Sequence, residues 1–258
     1  MHKERVLPLQ GVHNFRDYGG YATSGGGRVK RGLLWRSGQH YEASDEDIAA
    51  IAGLRLAHVF DLRSDRERAS HPCRRPEPFA AIVHTIPDGS ANQAPHVSSA
   101  RRDAESTRAS MRRSYEGIAF RPILVSMVRN MAEQLARGDG ASLVNCMAGK
   151  DRTGFAVAMV HHALGVHRDD IFEDYLLTNS AGNALDRIEA GQRSIRTIIG
   201  DIDPEALRVL MSVEPEYLET AFSAVREKHG SIDAYQAEVL GIDDALRERL
   251  RAALVDEV

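Results

Sequence analysis

Residues 144–154, Val144-Asn145-Cys146-Met147-Ala148-Gly149-Lys150-Asp151-Arg152-Thr153-Gly154, put a thiol and an arginine where both could act on one phosphorus atom. Five residues separate Cys146 from Arg152, and the apolar run from Phe155 to Val160 that follows reads as the start of a helix. The first N–H groups of a helix have no intrahelical partners and suit an oxyanion. Arg152 adds a planar fork of donors that can hold two phosphate oxygens at once. Gly149 permits tight curvature, and the backbone N–H groups from Met147 through Ala148, Gly149, Lys150 and Asp151 to Arg152 supply the remaining oxygen contacts. Such positive potential favours the thiolate of Cys146, which would attack phosphorus and form a transient phosphocysteine. An inert buried thiol is the commoner role for a free cysteine. The company of Gly149, Arg152, Thr153 and Gly154 reverses that preference. Thr153 serves either as a donor to the thiolate or as an ordinary helix cap. Lys150 either balances the charge of Asp151 and phosphate or extends to a second anionic group. It is no Walker A lysine, because Asp151 follows it where that loop needs Ser or Thr.

The elements that must position this loop are legible around it. Phe120 to Leu135 carries an apolar face through Ile123, Leu124, Met127, Val128, Met131 and Leu135. Gly138-Asp139-Gly140 then turns the chain into the strand Ser142-Leu143-Val144. Helix, turn, strand, cradle, helix is the order of an α/β crossover, with the cradle at the sheet's C-terminal edge. Upstream, Val6 to Leu9 suggests a short strand, Arg28 to Arg36 a hairpin leading into a core strand, and Arg16 with Asp17 a structural ion pair. Ser44 is a candidate N-cap for a helix through Ile48, Ile51 and Leu54. His58 to Arg63 is a strand that delivers Asp61 and Arg63 to the same edge as the cradle. They form either a buried structural pair or part of the substrate site. Ala81 to Pro87 gives a further strand. Residues 88–119 form a candidate lid insertion, irregular at first and then a basic helix from Arg101 to Tyr115; a plain solvated helix is the alternative. The cradle helix ends near Leu164-Gly165, and a second helix carries Ile171, Phe172, Tyr175 and Leu176. Asp174 and Asn179 are expected to cap or pin helices, and Arg187, Arg193 and Arg196 could add to an anionic surface. The tail suggests helices near 205–213, 216–228, 234–240 and 243–254.

The loop resembles the signature of the cysteine-dependent phosphatases. The whole chain resembles the atypical bacterial tyrosine phosphatases whose loop ends Ala-Gly-Lys-Asp-Arg-Thr-Gly. The likeness extends to Asn14-Phe15-Arg16-Asp17-Tyr18-Gly19-Gly20-Tyr21, Leu34-Trp35-Arg36-Ser37, Val59-Phe60-Asp61-Leu62-Arg63-Ser64 and Asp174-Tyr175-Leu176-Leu177-Thr178-Asn179. It implies a tyrosine-phosphatase-like α/β fold, a mostly parallel sheet with helices on both faces, in one domain spanning residues 1–258. It also implies action on phosphoproteins and phosphoinositides. Asp151 matches the group's unusual loop carboxylate, which makes it first choice as general acid and as the later base toward water. A loop-ordering role is its alternative, and Asp61 is the runner-up acid. One residue departs from the pattern: Asn145 stands where the group usually has histidine. Its amide can donate a hydrogen bond but carries no charge, so slower turnover is expected.

Composition narrows the remaining classes. The 258 residues are 43% hydrophobic and 27% charged, which suits a folded protein rather than a disordered one. A formal net charge of -4 argues against general nucleic-acid binding. No apolar run approaches the roughly 20 residues of a spanning helix, and the N-terminus lacks a secretory apolar segment. The expected location is therefore cytoplasmic, or exported without a recognisable signal. Two cysteines, Cys73 and Cys146, make no disulfide framework, although a bridge between them would store the nucleophile. The 11 histidines are scattered without metal-ligand spacing. The expected reaction uses no cofactor and no metal. Phosphotyrosine-containing proteins or phosphoinositides are the expected partners, with inorganic phosphate as product. A non-catalytic phosphate-binding protein is the alternative from a different class.

Overall fold

The computed structural model describes residues 4–87, 103–182 and 203–256. Its strands are β1 (Arg16–Asp17), β2 (Arg28–Val29), β3 (Leu34–Ser37), β4 (Leu56–Asp61), β5 (Ile82–His84), β6 (Ala141–Asn145) and β7 (Val255–Asp256). Five of them form the central sheet in the order β1-β3-β6-β4-β5, where β1 is an antiparallel edge and every other pairing is parallel. This is the mostly parallel α/β sheet that the sequence implies.

Side-chain alternation explains why β6 lies in the middle. On one face Ala141 and Leu143 pack with Leu56 and Val59 beneath Ile51 of α1 (Asp45–Gly53). On the other, Val144 joins Phe60 and Leu34 beneath α4 (Pro122–Leu135) and α5 (Asp151–Leu164). A strand apolar on both faces belongs inside a two-faced sheet. On α4 the buried stripe Leu124, Met127, Val128, Met131 and Leu135 has helical spacing, and each such side chain contributes roughly 1.5–3 kcal/mol over its exposed state. Eleven of the 14 residues of α5 are buried, so its N-terminus cannot drift relative to the sheet.

The remaining helices are α2 (Asp65–Ser70), α3 (Ala104–Glu116), α6 (Arg168–Leu176), α7 (Pro204–Met211), α8 (Pro215–His229), α9 (Ile232–Glu238) and α10 (Asp244–Leu254). Ser44 and Ser64 each close a capping box, with Asp47 and Glu67 respectively, and Gly165 ends α5 at φ +80°. The candidate lid is described only from Asp103 onward. There α3 buries Thr107, Met111 and Tyr115 and packs on α7 and α8, with Arg108 paired to Glu214 at 2.8 Å. Residues 88–102, and the 183–202 stretch with Arg187, Arg193 and Arg196, lie outside the described residues.

Two local expectations are corrected. Val6 makes only an isolated bridge to Arg16, so the expected strand from Val6 to Leu9 does not form. Residues 28–36 do not form a hairpin: β2 pairs with β7 at the far end of the chain. Glycine turns at Gly26, Gly27 and Gly32 free β2 from β3, and that partner is invisible to any local reading. No helix among the described residues is long and apolar enough to cross a membrane.

Candidate active site

β6 ends at Asn145, and the chain passes through Cys146 and Gly149 before α5 begins at Asp151. Of the described α-helices, α5 alone starts with neither a side-chain cap nor a proline. Side chains of Ser, Asp or His cap α1, α2, α3, α6, α7, α9 and α10, while Pro122 and Pro215 open α4 and α8. The uncapped N–H groups and the positive end of the helix dipole are thus left for an anion, with Cys146, 3% exposed, at the start of the loop.

The loop is held from below by polar groups of distant segments. Gly149 adopts φ +65°, and a Cβ there would lie 2.4 Å from the backbone of Ser37. Its carbonyl accepts from Asn14 Nδ2 at 2.6 Å and from Arg36 at 3.0 Å. The Gln39 N–H donates to Met147 O at 2.9 Å and the Leu62 N–H to Asn145 O at 2.8 Å. Arg36 continues to Asp174 at 2.6 Å, and Arg16 bonds both Asp174, at 3.2 Å, and Asn14. Burial alone would raise the Asp174 carboxyl, but the guanidiniums of Arg16 and Arg36 outweigh it and hold it well below the usual carboxylate range. Burial, then repulsion from Arg36, lowers Arg16 to about 10. Arg16 therefore pairs with Asp174 and not with Asp17, whose carboxylate accepts the Gly19 and Gly32 N–H groups at 2.7 Å each. Burying two like charges one strand apart requires a shared counter-ion, and Asp174 is the one in reach. Asn179 does pin its neighbour, donating to Val213 O and accepting the Val213 N–H, each at 2.8 Å.

Arg152 sits on the first turn of α5. Its two terminal nitrogens bind the two carboxylate oxygens of Glu67 at 2.7 and 2.8 Å, and one also reaches Leu62 O at 3.2 Å. Its Nε makes no hydrogen bond to any described residue, which leaves that edge of the fork for a phosphate. Burial opposes the charge, yet the Glu67 pair and the neighbouring Cys146 and Asp151 push the guanidinium further up. Glu67 is correspondingly lowered, against its own burial, by that pair. The sequence reading missed Glu67; its Ser64-x-x-Glu67 capping box was visible, but not the arginine it would meet.

Asp61 and Arg63 lie at the end of β4 as a bidentate pair, 2.8 and 2.7 Å, each with a side chain 1% exposed. Asn145 Nδ2 reaches Asp61 at 3.4 Å, and Arg63 continues to His71 O at 2.6 Å. Asp151 is placed differently. Its side chain is 33% exposed, Oδ1 accepts from the Tyr115 hydroxyl at 2.6 Å, and Oδ2 lies 3.6 Å from Lys150 Nζ. The Lys150 ammonium is buried and donates to Leu210 O at 2.5 Å and Ser212 O at 3.1 Å, at the end of α7. Arg121 is lowered first by its own burial and then by the charge of Arg152, and its guanidinium donates to Ser114 O at 3.1 Å and Ser114 Oγ at 2.8 Å. The Thr153 hydroxyl is buried without a hydrogen-bond partner among the described residues, while Met147 and Ala148 are half-buried at the loop's tip. Cys73 and Cys146 are both free thiols. The buried His40 bonds Ser37 at 2.9 Å, and burial followed by Arg63 pushes it down to about 4.

Comparison with known proteins shows what the chain as a whole is similar to. Residues 7–256 match the model of a tyrosine phosphatase family. A Cupriavidus necator protein named "Putative tyrosine-protein phosphatase" is 30% identical over 93% of this chain and 85% of its own length. The "Triple specificity protein phosphatase PtpB" of Mycobacterium tuberculosis is 30% identical over 97% of this chain and 99% of its own.

Proposed function

The chain belongs to the tyrosine phosphatase family, and from that premise we propose that Cys146 attacks the phosphorus of a phosphotyrosine side chain while Asp151 protonates the departing phenolate. It is a phosphoric monoester hydrolase of the protein-tyrosine phosphatase type. The observation that carries the reading at this site is the uncapped start of α5, with Cys146 before it and Arg152 on its first turn.

In the first step the thiolate forms an S–P bond as the P–O bond to the leaving group breaks. The Arg152 Nε edge and the N–H groups from Met147 to Arg152 hold the three non-bridging oxygens, which gather charge in the transition state. Asp151 supplies the proton to the leaving oxygen. In the second step the Asp151 carboxylate takes a proton from water as that water attacks phosphorus, the S–P bond breaks and inorganic phosphate leaves. Asp151 is favoured over Asp61 because both Asp61 oxygens are bound to Arg63 and buried. Lys150, held at the end of α7, sets the charge beside Asp151. Thr153 offers the one unbound buried hydroxyl of the loop for the thiolate.

Phosphate release from a phosphotyrosine peptide, with reductant and a chelator present, tests these roles. The Cys146→Ser variant should lose turnover entirely, and Asp151→Asn should lose about 10²–10⁴-fold, the usual worth of general acid catalysis. Robust turnover by Cys146→Ser overturns the mechanism. A second reading, a phosphoinositide substrate, draws on Arg121, whose charge is felt at Arg152 and adds to the positive potential that a second phosphate would meet. Turnover of soluble inositol headgroups above that of phosphopeptides would favour it. Phosphate binding without turnover by wild type would instead mark a non-catalytic binder.

A further inference from the structure

Behind the loop carboxylate runs a short chain of buried hydroxyls. Tyr175, on α6, donates to the Tyr115 hydroxyl at 2.7 Å, and Tyr115, at the end of α3, donates to Asp151 Oδ1 at 2.6 Å. Each phenol has a single proton, so with the Tyr115 proton given to Asp151 the bond between the two phenols must be donated by Tyr175. The rings are 0% and 1% exposed and stand edge to face at 6.4 Å, with Tyr217 tilted against Tyr115 at 5.6 Å. Gly154 allows the approach. A Cβ there would sit 2.9 Å from the Tyr175 ring.

We propose that Tyr115, oriented by Tyr175, is a positioning residue that occupies Oδ1 of Asp151 and so commits Oδ2 to carry the proton for the leaving group. The inference rests on Asp151 as the proton donor. With Oδ1 accepting, the acid's own proton resides on Oδ2, the oxygen on the Lys150 side. When that proton passes to the leaving oxygen, the new carboxylate keeps the Tyr115 hydrogen bond and is oriented to take a proton from water in the second step. Tyr115 does not supply the proton itself: burial, then the charge of Asp151, raises its phenol well above the ordinary range, and burial and Asp151 do the same for Tyr175. The chain also gives α3 a direct link to the reacting carboxylate. A cooperative hydrogen-bonded chain orients its terminal acceptor more firmly than one phenol would.

The test compares kcat/KM, which reports the steps through P–O cleavage and not the later attack of water, across phosphomonoesters of increasing leaving-group basicity, from a dinitrophenyl ester to an alkyl ester, for wild type, Tyr115→Phe, Tyr175→Phe, Asp151→Asn and Tyr115→Phe/Asp151→Asn. Good leaving groups need no proton and poor ones do. Tyr115→Phe should lose roughly tenfold or more on the alkyl ester and almost nothing on the dinitrophenyl ester, the size expected for one charge-assisted hydrogen bond. Tyr175→Phe should shift the same way by less, and the double variant should be no slower than Asp151→Asn alone. Inorganic phosphate should inhibit wild type and Tyr115→Phe equally, which shows an intact cradle. A uniform loss across leaving groups, no loss, or additive losses in the double variant would overturn the proposal. If Asp151→Asn itself shows no leaving-group dependence, the acid assignment falls and takes the inference with it. A steep Asp151→Asn profile beside a flat Tyr115→Phe profile removes the inference alone.

Discussion

Arg152 meets phosphate already gripped by Glu67. Each terminal nitrogen gives an N–H to that carboxylate, which fixes the plane of the guanidinium and leaves the Nε edge without a partner among the described residues. A free arginine on a helix's first turn would sample several rotamers, and ordering it on substrate would cost binding energy. Glu67→Gln keeps the shape but removes the charge, so kcat/KM for a phosphotyrosine peptide should fall about tenfold, with little change in thermal stability. An unchanged kcat/KM would show that Arg152 is oriented by something else. At this scale the sequence told about half the story. The thiol, the fork and the loop carboxylate are neighbours in the chain and were legible from spacing. Glu67, Tyr115 and Tyr175 reach them from other elements and were not. Asp61 was ambiguous because a carboxylate at a strand's C-terminal end suits catalysis or pairing equally. Arg63 lies two residues on, and the bidentate pair keeps both oxygens of Asp61.

The loop's curvature is decided between elements, where β3 presses on Gly149. At φ +65° and with the Ser37 backbone 2.4 Å from where a Cβ would stand, Gly149→Ala meets both a left-handed strain and a backbone clash. Turnover should vanish and stability fall by about 2 kcal/mol or more, read by urea unfolding. Gly154→Ala is the milder contrast: its neighbour is the Tyr175 ring, which can shift, so overpacking should cost roughly 1–3 kcal/mol. Equal behaviour of the two variants would contradict the account of the loop. Helix ends were legible at this scale because Ser44 and Gly165 act within four residues of themselves, whereas the short helix capped by Ser64 was not read. The pairing of β2 with β7 was hidden, since its two halves lie at opposite ends of the chain and neither carries an alternating pattern. The segments Asn14-Phe15-Arg16 and Leu34-Trp35-Arg36 were read from the sequence only as an ion pair with Asp17 and a core strand. Their shared role, hydrogen-bonding Gly149 O and Asp174, exists only in three dimensions.

Across the whole molecule, stability is tied to pH through two buried groups beside the loop. His40 is held neutral at about 4 against an ordinary 6.5, so the folded state binds its proton more weakly than the unfolded chain. Its contribution is fully present above pH 6.5 and is lost as pH falls toward 4, by up to about 3 kcal/mol. Asp174, held well below the usual carboxylate range, contributes stability above roughly pH 4 that is lost further into acid. Unfolding free energies at pH 7 and 4.5 should therefore differ less in His40→Gln than in wild type, while Asp174→Asn should flatten the curve only below about pH 4. Parallel curves in all three proteins would refute the assignment. Both groups lie under the same loop, so acid should disable the site as it loosens the fold.

The most direct measurement is chemical quench of the enzyme during turnover of a ³²P-labelled phosphotyrosine peptide, in wild type, Asp151→Asn and Cys146→Ser. The account predicts a label on the chain in the first two, mapped to Cys146 and longer-lived in Asp151→Asn, and none in Cys146→Ser. Label retained in Cys146→Ser at another residue, or steady phosphate release with no label in either of the others, would contradict it.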